Sequence, residues 1–306
     1  MKIDFNTKGV KEQIVLYSLL SPVLIYVFIF NYVPIYGLVI GFQNYFPGSR
    51  FLSFGSATQW VGFKHFVDFM TSVYFWRLIR NTLVLSGLLL SIGFVIPIIF
   101  ALFLNEIGSI KYRKFLQTTS YLPYFISMVV VASMALTLVG KDGLVNRIGS
   151  VVGLSPINFN TEPSVFPWVY VVTTIWKTFG WSSVIYMAAI AGIDPNLYEA
   201  ANIDGANRFA QMWHITIASI RGTIFILLIF AIGGLLNANT EFILLMYNPG
   251  IYETSDVIGT YIYRVGLQGG QFSKTTAIGM FMQVINFSLL YAANAISRKV
   301  NNFSLW

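Results

Sequence analysis

Tyr198–Gly222 reads YEAANIDGANRFAQMWHITIASIRG, the one long run in the chain that is neither strongly apolar nor glycine-loose. Apolar segments flank it at 165–192 and 223–246, and each exceeds the ~20 residues a helix needs to cross a bilayer. Just upstream, Asp194-Pro195 predicts a helix start, a carboxylate cap followed by proline at the first helical position. A short helix through Glu199, Ala200 and Ala201 is expected to end at Asp204-Gly205, because glycine accepts the left-handed conformation of a C-terminal turn. A second short helix, about Ala206 to Ile215, would then lead into the next span. Two short helices at an angle make a compact knob outside the membrane. The small residues Ala200, Ala201, Gly205 and Ala206 would let another protein surface approach it closely.

Composition sets the class. Of 306 residues, 56% are hydrophobic and only 10% charged, where a soluble domain carries about 25% charged residues. The reading is an all-α polytopic membrane protein. Cysteine is absent, so disulfides and thiolate metal sites are excluded. The two histidines, His65 and His214, fall on opposite sides of the membrane in the topology below and cannot form a metal cluster. The net charge of +7 comes without a basic run interleaved with aromatics, which suits anionic lipid headgroups better than nucleic acid.

Six spans are expected, at about 14–42, 80–104, 116–139, 165–192, 223–246 and 275–297, in a single transmembrane domain over 14–297. Residues 1–13 and 298–306 are its tails. The first span contains Pro22, Asn31 and Pro34 and lacks a small-residue cleavage site, so it reads as a span and not as a removed signal peptide. FPGSRF is turn material, and WVGFKHFVDFMTSVYFW, too broken to span, suits the outer interface. Pro97 predicts a kink in the second span. Six spans put both termini on one side. That side carries ten Lys and Arg against eight outside, and the short KYRK loop and the tails decide the orientation as cytoplasmic. Parity then puts 198–222 in the cytoplasm.

No P-loop, dinucleotide fingerprint or serine-base-acid set is present, so no enzyme activity is read here, and any ATP must be bound by another chain. Polar residues inside spans are the remaining clues, since a mid-membrane charge faces a cavity or a partner. Lys177 lies about 22 Å above the inner end of span four and Glu241 about 27 Å above that of span five, counting helical rise. Glu241 is the expected counter-ion, in a structural ion pair or on a translocation path. Asn237, Asn239, Gln283 and Asn286 either line a polar path or hydrogen-bond between helices as glue. Trp176, Trp181, Tyr186, Tyr121 and Tyr124 are candidates for stacking on sugar rings, against a background of interfacial aromatics.

EAANIDGA, with Ile215 ten residues after Gly205, resembles the EAA loop of permease subunits of ABC importers. Glu199, Ala200, Ala201, Asp204, Gly205, Ala206 and Ile215 match the pattern. Ile217-Ala218 stand where Leu-Pro is usual, so a less sharply bent exit is expected. The opening LLSPVLIYVFIFNYVPIYGLVIGFQNY, RNTL at the start of span two, SDVIGTYIYRVGL and the final NFSLW are similar to permeases of oligosaccharide and polysaccharide importers. That group includes the maltose-like and lipopolysaccharide-transport-like B permeases, and the likeness covers nearly the whole chain. The resemblance implies a type I ABC importer permease fold in a bacterial cell membrane, with the EAA loop as cytoplasmic coupling helices. It further implies a second, different permease, two cytoplasmic ATPases that bind ATP and Mg, and an extracellular solute-binding protein. The cargo would be an oligosaccharide or polysaccharide fragment. An importer for amino acids, phosphate or polyamines, or an ATP-independent carrier coupled through Lys177 and Glu241, are the alternatives.

Overall fold

A computed structural model of the chain describes residues 8–48, 59–301 and 303–306. Most of the expected N-terminal tail, with Lys2, and the end of the FPGSRF turn lie outside the described residues. No strand forms among those described, apart from an isolated antiparallel bridge between Gln43 and Trp60.

The chain opens with α1 (Lys8–Val27), which continues through a π-turn (Phe28–Tyr32) and a 3-10 segment (Val33–Phe42). Then follow α2 (Lys64–Met70), α3 (Phe75–Leu88), a π-turn (Leu89–Gly93) and α4 (Val95–Asn105). Helix α5 (Ile110–Tyr121) ends in a 3-10 turn (Leu122–Phe125) before α6 (Met128–Val139) and α7 (Leu144–Val151). The long α8 (Phe166–Ala191) precedes α9 (Pro195–Ile203) and α10 (Arg208–Gln211), which passes through a π-turn (Met212–Ile217) into α11 (Ala218–Gly233). Short helices α12 (Thr240–Met246), α13 (Tyr252–Ser255) and α14 (Ile258–Ile262) lead through a π-turn (Tyr263–Gln268) to α15 (Phe272–Asn301).

Two of the π-turns sit just before a proline, and for one reason. Proline lacks the N–H that would bond the carbonyl four residues back, and its ring crowds that carbonyl. Gly93 stands four before Pro97, and there the ladder switches: Phe94 N–H donates to the Leu89 carbonyl at 3.1 Å, five residues back. The expected kink at Pro97 is thus realised one turn upstream. Phe30 stands four before Pro34, inside the Phe28–Tyr32 turn.

Five helical stretches are long and apolar enough to cross a membrane: Glu12–Phe42, Phe75–Asn105, Met128–Val151, Arg208–Gly233 and Phe272–Val300. The first, second and last coincide with the expected spans. The third moves outward from 116–139, because Leu122-Pro123 ends α5 and the apolar run restarts only at Met128. The fifth is cut at Gly233, so residues 223–246 are two helices and not one. Helix α8 matches the expected fourth span in position and, at 26 residues, in length, but its Thr, Ser and Lys177 dilute its apolar character.

Two compact units form, one from the described residues up to Met70 with Val265–Phe281, the other from Thr71–Arg264 with Met282–Trp306. In the first, Gly41 lies so close to α15 that a β-carbon would stand 2.6 Å from Met280 Cε and 3.3 Å from the Ala277 nitrogen. Phe42 meets Phe63 and Phe66 at 5.5 Å, and the Tyr45 N–H donates to Ser273 Oγ at 2.8 Å.

The second unit is organised around α8. Towards its N-terminal end Tyr170 and Val171 pack with Leu85, Val131, Phe242 and Val257. Towards its C-terminal end Tyr186 and Ile190 pack with Ala101, Leu102 and Ile220. The fully buried Asp256 receives Arg77 at 2.9 Å and both terminal nitrogens of Arg264 at 3.1 and 3.0 Å. Burial alone would pull the Arg264 guanidinium down, but Asp256 holds it above its usual range. At the C-terminus Phe303 stacks on Phe225 at 6.2 Å, and the Leu305 N–H donates to Asn294 Oδ1 at 2.7 Å, folding the tail back onto the helices.

Candidate functional site

The knob at 195–217 is built as its residues dictate. Asp194 accepts the Asn196 N–H at 3.0 Å, and Pro195 opens α9. Gly205 has φ +77°, the left-handed geometry that closes α9, with the Ala206 N–H donating to the Ala201 carbonyl at 2.9 Å. An added β-carbon at Gly205 meets nothing within 4 Å, so only backbone conformation demands glycine here. Asn207 caps the next helix by accepting the Ala210 N–H at 2.8 Å. Gln211 Nε2 bonds Asn202 Oδ1 at 2.7 Å and the Ala206 carbonyl at 2.9 Å, and Tyr198 meets Thr216 at 2.9 Å, so the two arms are tied together.

The second arm is not a separate helix ending near Ile215. With no proline at 217–218 every backbone donor survives, and helix runs on from Arg208 to Gly233. The π-turn at 212–217 takes up the bend. Glu199 is exposed and makes no hydrogen bond or ion pair among the described residues. Sequence reasoning dwelt on the small residues and missed three large apolar ones on the same knob: Ile203 at 87% exposure, Phe209 at 72% and Trp213 at 60%.

Lys177 does not pair with Glu241. The three ion pairs among the described residues leave both out. The ammonium instead donates to the carbonyls of Pro123, Tyr124 and Ile126 at 3.3, 2.8 and 2.5 Å. Those carbonyls belong to the turn where the third span breaks. The Ile126 N–H closes the turn on the Pro123 carbonyl at 3.2 Å, but Ile126 and Ser127 then turn extended, with ψ of 136° and 149°, so the chain beyond supplies no helical donors to the Tyr124 and Ile126 carbonyls. An unmet backbone group in hydrocarbon costs on the order of several kcal/mol, and an ammonium with three N–H groups answers it. Three residues along α8, Gly180 lets the helices touch, since a β-carbon there would collide with the Ser120 carbonyl. Glu241 lies exposed in the first turn of α12, where a carboxylate complements the helix dipole.

The break in the fifth span is held by neutral groups. Asn286 Oδ1 accepts the Leu236 N–H at 3.1 Å while its Nδ2 donates to Asn237 Oδ1 at 3.2 Å. Asn239 caps α12 by accepting the Phe242 N–H at 3.2 Å, and its own N–H donates to the Tyr170 hydroxyl at 2.9 Å. Asn286 and Asn239 are thereby occupied in structural bonds. Gln283 is exposed.

Between α3–α4, α8 and α11 two cavities of about 270 and 420 Å³ share Gly93 and Phe94. Ser86, Thr174, Thr178 and Asn237 supply the polar lining of the smaller. Trp181, Ser182 and Tyr186 line the larger. Tyr124 stacks on Trp181 with centroids 4.9 Å apart and planes 11° apart, and Tyr121 meets the same indole edge-on at 6.5 Å. Of the residues singled out in the sequence, Trp181, Tyr186 and Asn237 reach the cavities, Tyr121 and Tyr124 back one wall, and Trp176 is exposed away from them. Thr174, Thr178 and Ser182 were missed, although their four-residue spacing puts them on one stripe of α8. Hydroxyls and amides beside flat aromatic faces suit a polyhydroxylated ligand.

Comparison with known proteins accords with this geometry. Residues 93–302 match the family model described as "Binding-protein-dependent transport system inner membrane component". The polygalacturonan/rhamnogalacturonan transport system permease protein YteP of Bacillus subtilis (strain 168) is 42% identical over 94% of this chain and 89% of its own length. Protein LplB of the same organism is 39% identical over 95% of this chain and 91% of its own. The fold superposes with a TM-score of 0.87, at 41% identity, on a chain of a bacterial alginate ABC transporter crystallised with an alginate pentasaccharide-bound periplasmic protein, covering 99% of this chain and 100% of that one. The chain, mostly helical with five apolar helices among its described residues and matched over most of its length, belongs to the family of binding-protein-dependent transport system inner membrane components.

Proposed function

We propose that this chain is a permease subunit of an ATP-driven importer that carries an oligosaccharide or polysaccharide fragment delivered by an extracellular binding protein. The observation that carries the reading is the match to a solved alginate transporter chain over 99% of this chain at 41% identity. The paired cavities, one lined by Trp181 and Tyr186 and the other by Asn237, support a sugar cargo. In this reading α8 is the sixth span, both termini are cytoplasmic, and the chain pairs with a second permease. Residues 198–222 dock on a partner ATPase, which binds ATP and Mg. Ile203, Phe209 and Trp213 give the knob an apolar surface for that contact, and Glu199 adds a carboxylate that can accept charge-assisted hydrogen bonds. An ATP-independent carrier is disfavoured, because its coupling pair of Lys177 and Glu241 does not form.

The test is uptake of labelled oligogalacturonide and alginate oligosaccharide in cells lacking the chain. Loss of uptake of one of them, restored by the wild-type gene and dependent on the binding protein, is the expected result. Unchanged uptake of both, with loss of amino-acid, phosphate or polyamine uptake instead, would contradict the cargo.

A further inference from the structure

Lys177 is only 8% exposed and has no carboxylate partner among the described residues, so neither an ion pair nor solvation explains a cation at this depth. Its surroundings do. Two of its three carbonyl partners belong to Pro123 and Tyr124, and its ammonium lies 5.7 Å from the centre of the Tyr124 ring. That ring is the one stacked on Trp181, four residues along α8 from Lys177 and so on the same helical face. Phe125 closes on Trp181 from the edge at 5.7 Å. Trp181 lines the larger cavity.

We infer that Lys177 is a positioning residue: by bonding the carbonyls of the Pro123 break it fixes the stacked Tyr124–Trp181 pair, and with it the aromatic wall of the cavity. The inference rests on the reading of that cavity as part of the sugar path. The Ile126 N–H closes the turn on the Pro123 carbonyl, but the Tyr124 and Ile126 carbonyls take their donor from the ammonium, and without it they must find others. Any re-aiming of the turn carries the Tyr124 ring off the indole, and Trp181 gains rotameric freedom where a sugar face would need a fixed plane. Gly180 sets the distance between α8 and α5 and leaves the lysine as the adjustable part of the contact.

The experiment is a double-mutant cycle in the intact importer, co-purified with its partner subunits and reconstituted in liposomes. Uptake of a labelled oligogalacturonide is measured for Lys177→Met, Trp181→Ala and the pair. Each single change should lower uptake about tenfold, and the double about tenfold again and not a hundredfold, because residues that act through one contact are not additive. A hundredfold loss in the double, or wild-type uptake in Lys177→Met, overturns the inference. Tryptophan emission gives an independent arm. Lys177→Met should shift it, Lys177→Arg should restore it in part, and in a Trp181→Phe background the shift should vanish. If Lys177→Met fails to accumulate, Lys177→Gln, neutral and shorter, takes its place in the cycle with the same two outcomes. If Trp181→Ala leaves uptake unchanged, the path reading fails, and the positioning role is decided by emission alone: a shift lost with Trp181 supports it, and no shift overturns it.

Discussion

The third and fifth spans are both broken, and the two breaks are held in opposite ways. The third breaks at Pro123, leaves the Tyr124 and Ile126 carbonyls without backbone donors, and is answered by a buried cation reaching across from α8. The fifth ends at Gly233–Gly234, exposes a donor and an amide, and is answered by the neutral Asn286 of α15 together with the Tyr170 hydroxyl. A cluster of acceptors calls for a group with several donors and no acceptor, which is an ammonium. A mixed donor and acceptor set calls for a carboxamide. The chemistry of each clasp thus follows from which end of the peptide group the break leaves unmet, and only the neutral clasp borders a cavity through a polar side chain, Asn237.

The largest expected effect separates the two helix approaches. At Gly180 an added methyl meets the Ser120 backbone, whereas at Gly233 it meets the Leu290 side chain, with Cδ1 at 2.6 Å and Cβ at 3.0 Å. Gly180→Ala should therefore cost about 3 kcal/mol or more and abolish accumulation in the membrane, while Gly233→Ala, where a side chain and not backbone must give way, should cost about 1–2 kcal/mol. Equal accumulation of the two would break the comparison.

Next come the clasps themselves. Asn286→Leu leaves the Leu236 N–H and the Asn237 amide unmet and should destabilise by about 1–3 kcal/mol. Lys177→Met orphans carbonyls but also removes the desolvation cost of a buried charge, so it should lower thermal stability less than Asn286→Leu while lowering transport more. Thermal unfolding of the purified complexes, set beside uptake, checks both halves, and the reverse order would show that the charged clasp is the structural one. The smallest effect is expected at Asn239→Ala, which loses the α12 cap for about 1 kcal/mol. A loss no larger than the error of the same unfolding measurement would mean that the Tyr170 hydroxyl alone holds that end.

Much of the fold was legible because the signals were local. Asp194-Pro195 and Asp204-Gly205 announced the ends of α9, and the absence of proline at 217–218 announced the smooth exit into α11. The breaks were legible only as punctuation. Pro123 lies within an apolar run and inside the expected span 116–139, and Gly233-Gly234 lies inside the expected span 223–246, where two small residues do not by themselves end an apolar run. What answers each break lies 49 to 69 residues away along the chain, and no periodicity carries that information. Lys177 was recognised as needing a partner, but helical rise gives only height, not facing, and so it pointed to Glu241. The Asp256–Arg77–Arg264 cluster escaped for the same reason, with Arg77 lying 179 residues from Asp256.

The central claim, that the 198–222 knob couples this permease to a partner ATPase, is tested most directly by the ATPase itself. Gly205→Val puts a β-branched side chain at φ +77°, costs about 1–2 kcal/mol locally, and re-aims the second arm. Glu199→Lys reverses the exposed carboxylate. Both variants should reach the membrane and leave sugar capture by the binding protein intact. Co-purification of the ATPase, followed by substrate-stimulated hydrolysis in reconstituted membranes, should show association or coupled hydrolysis lost in both. Wild-type association together with wild-type coupled hydrolysis in both variants would contradict the account.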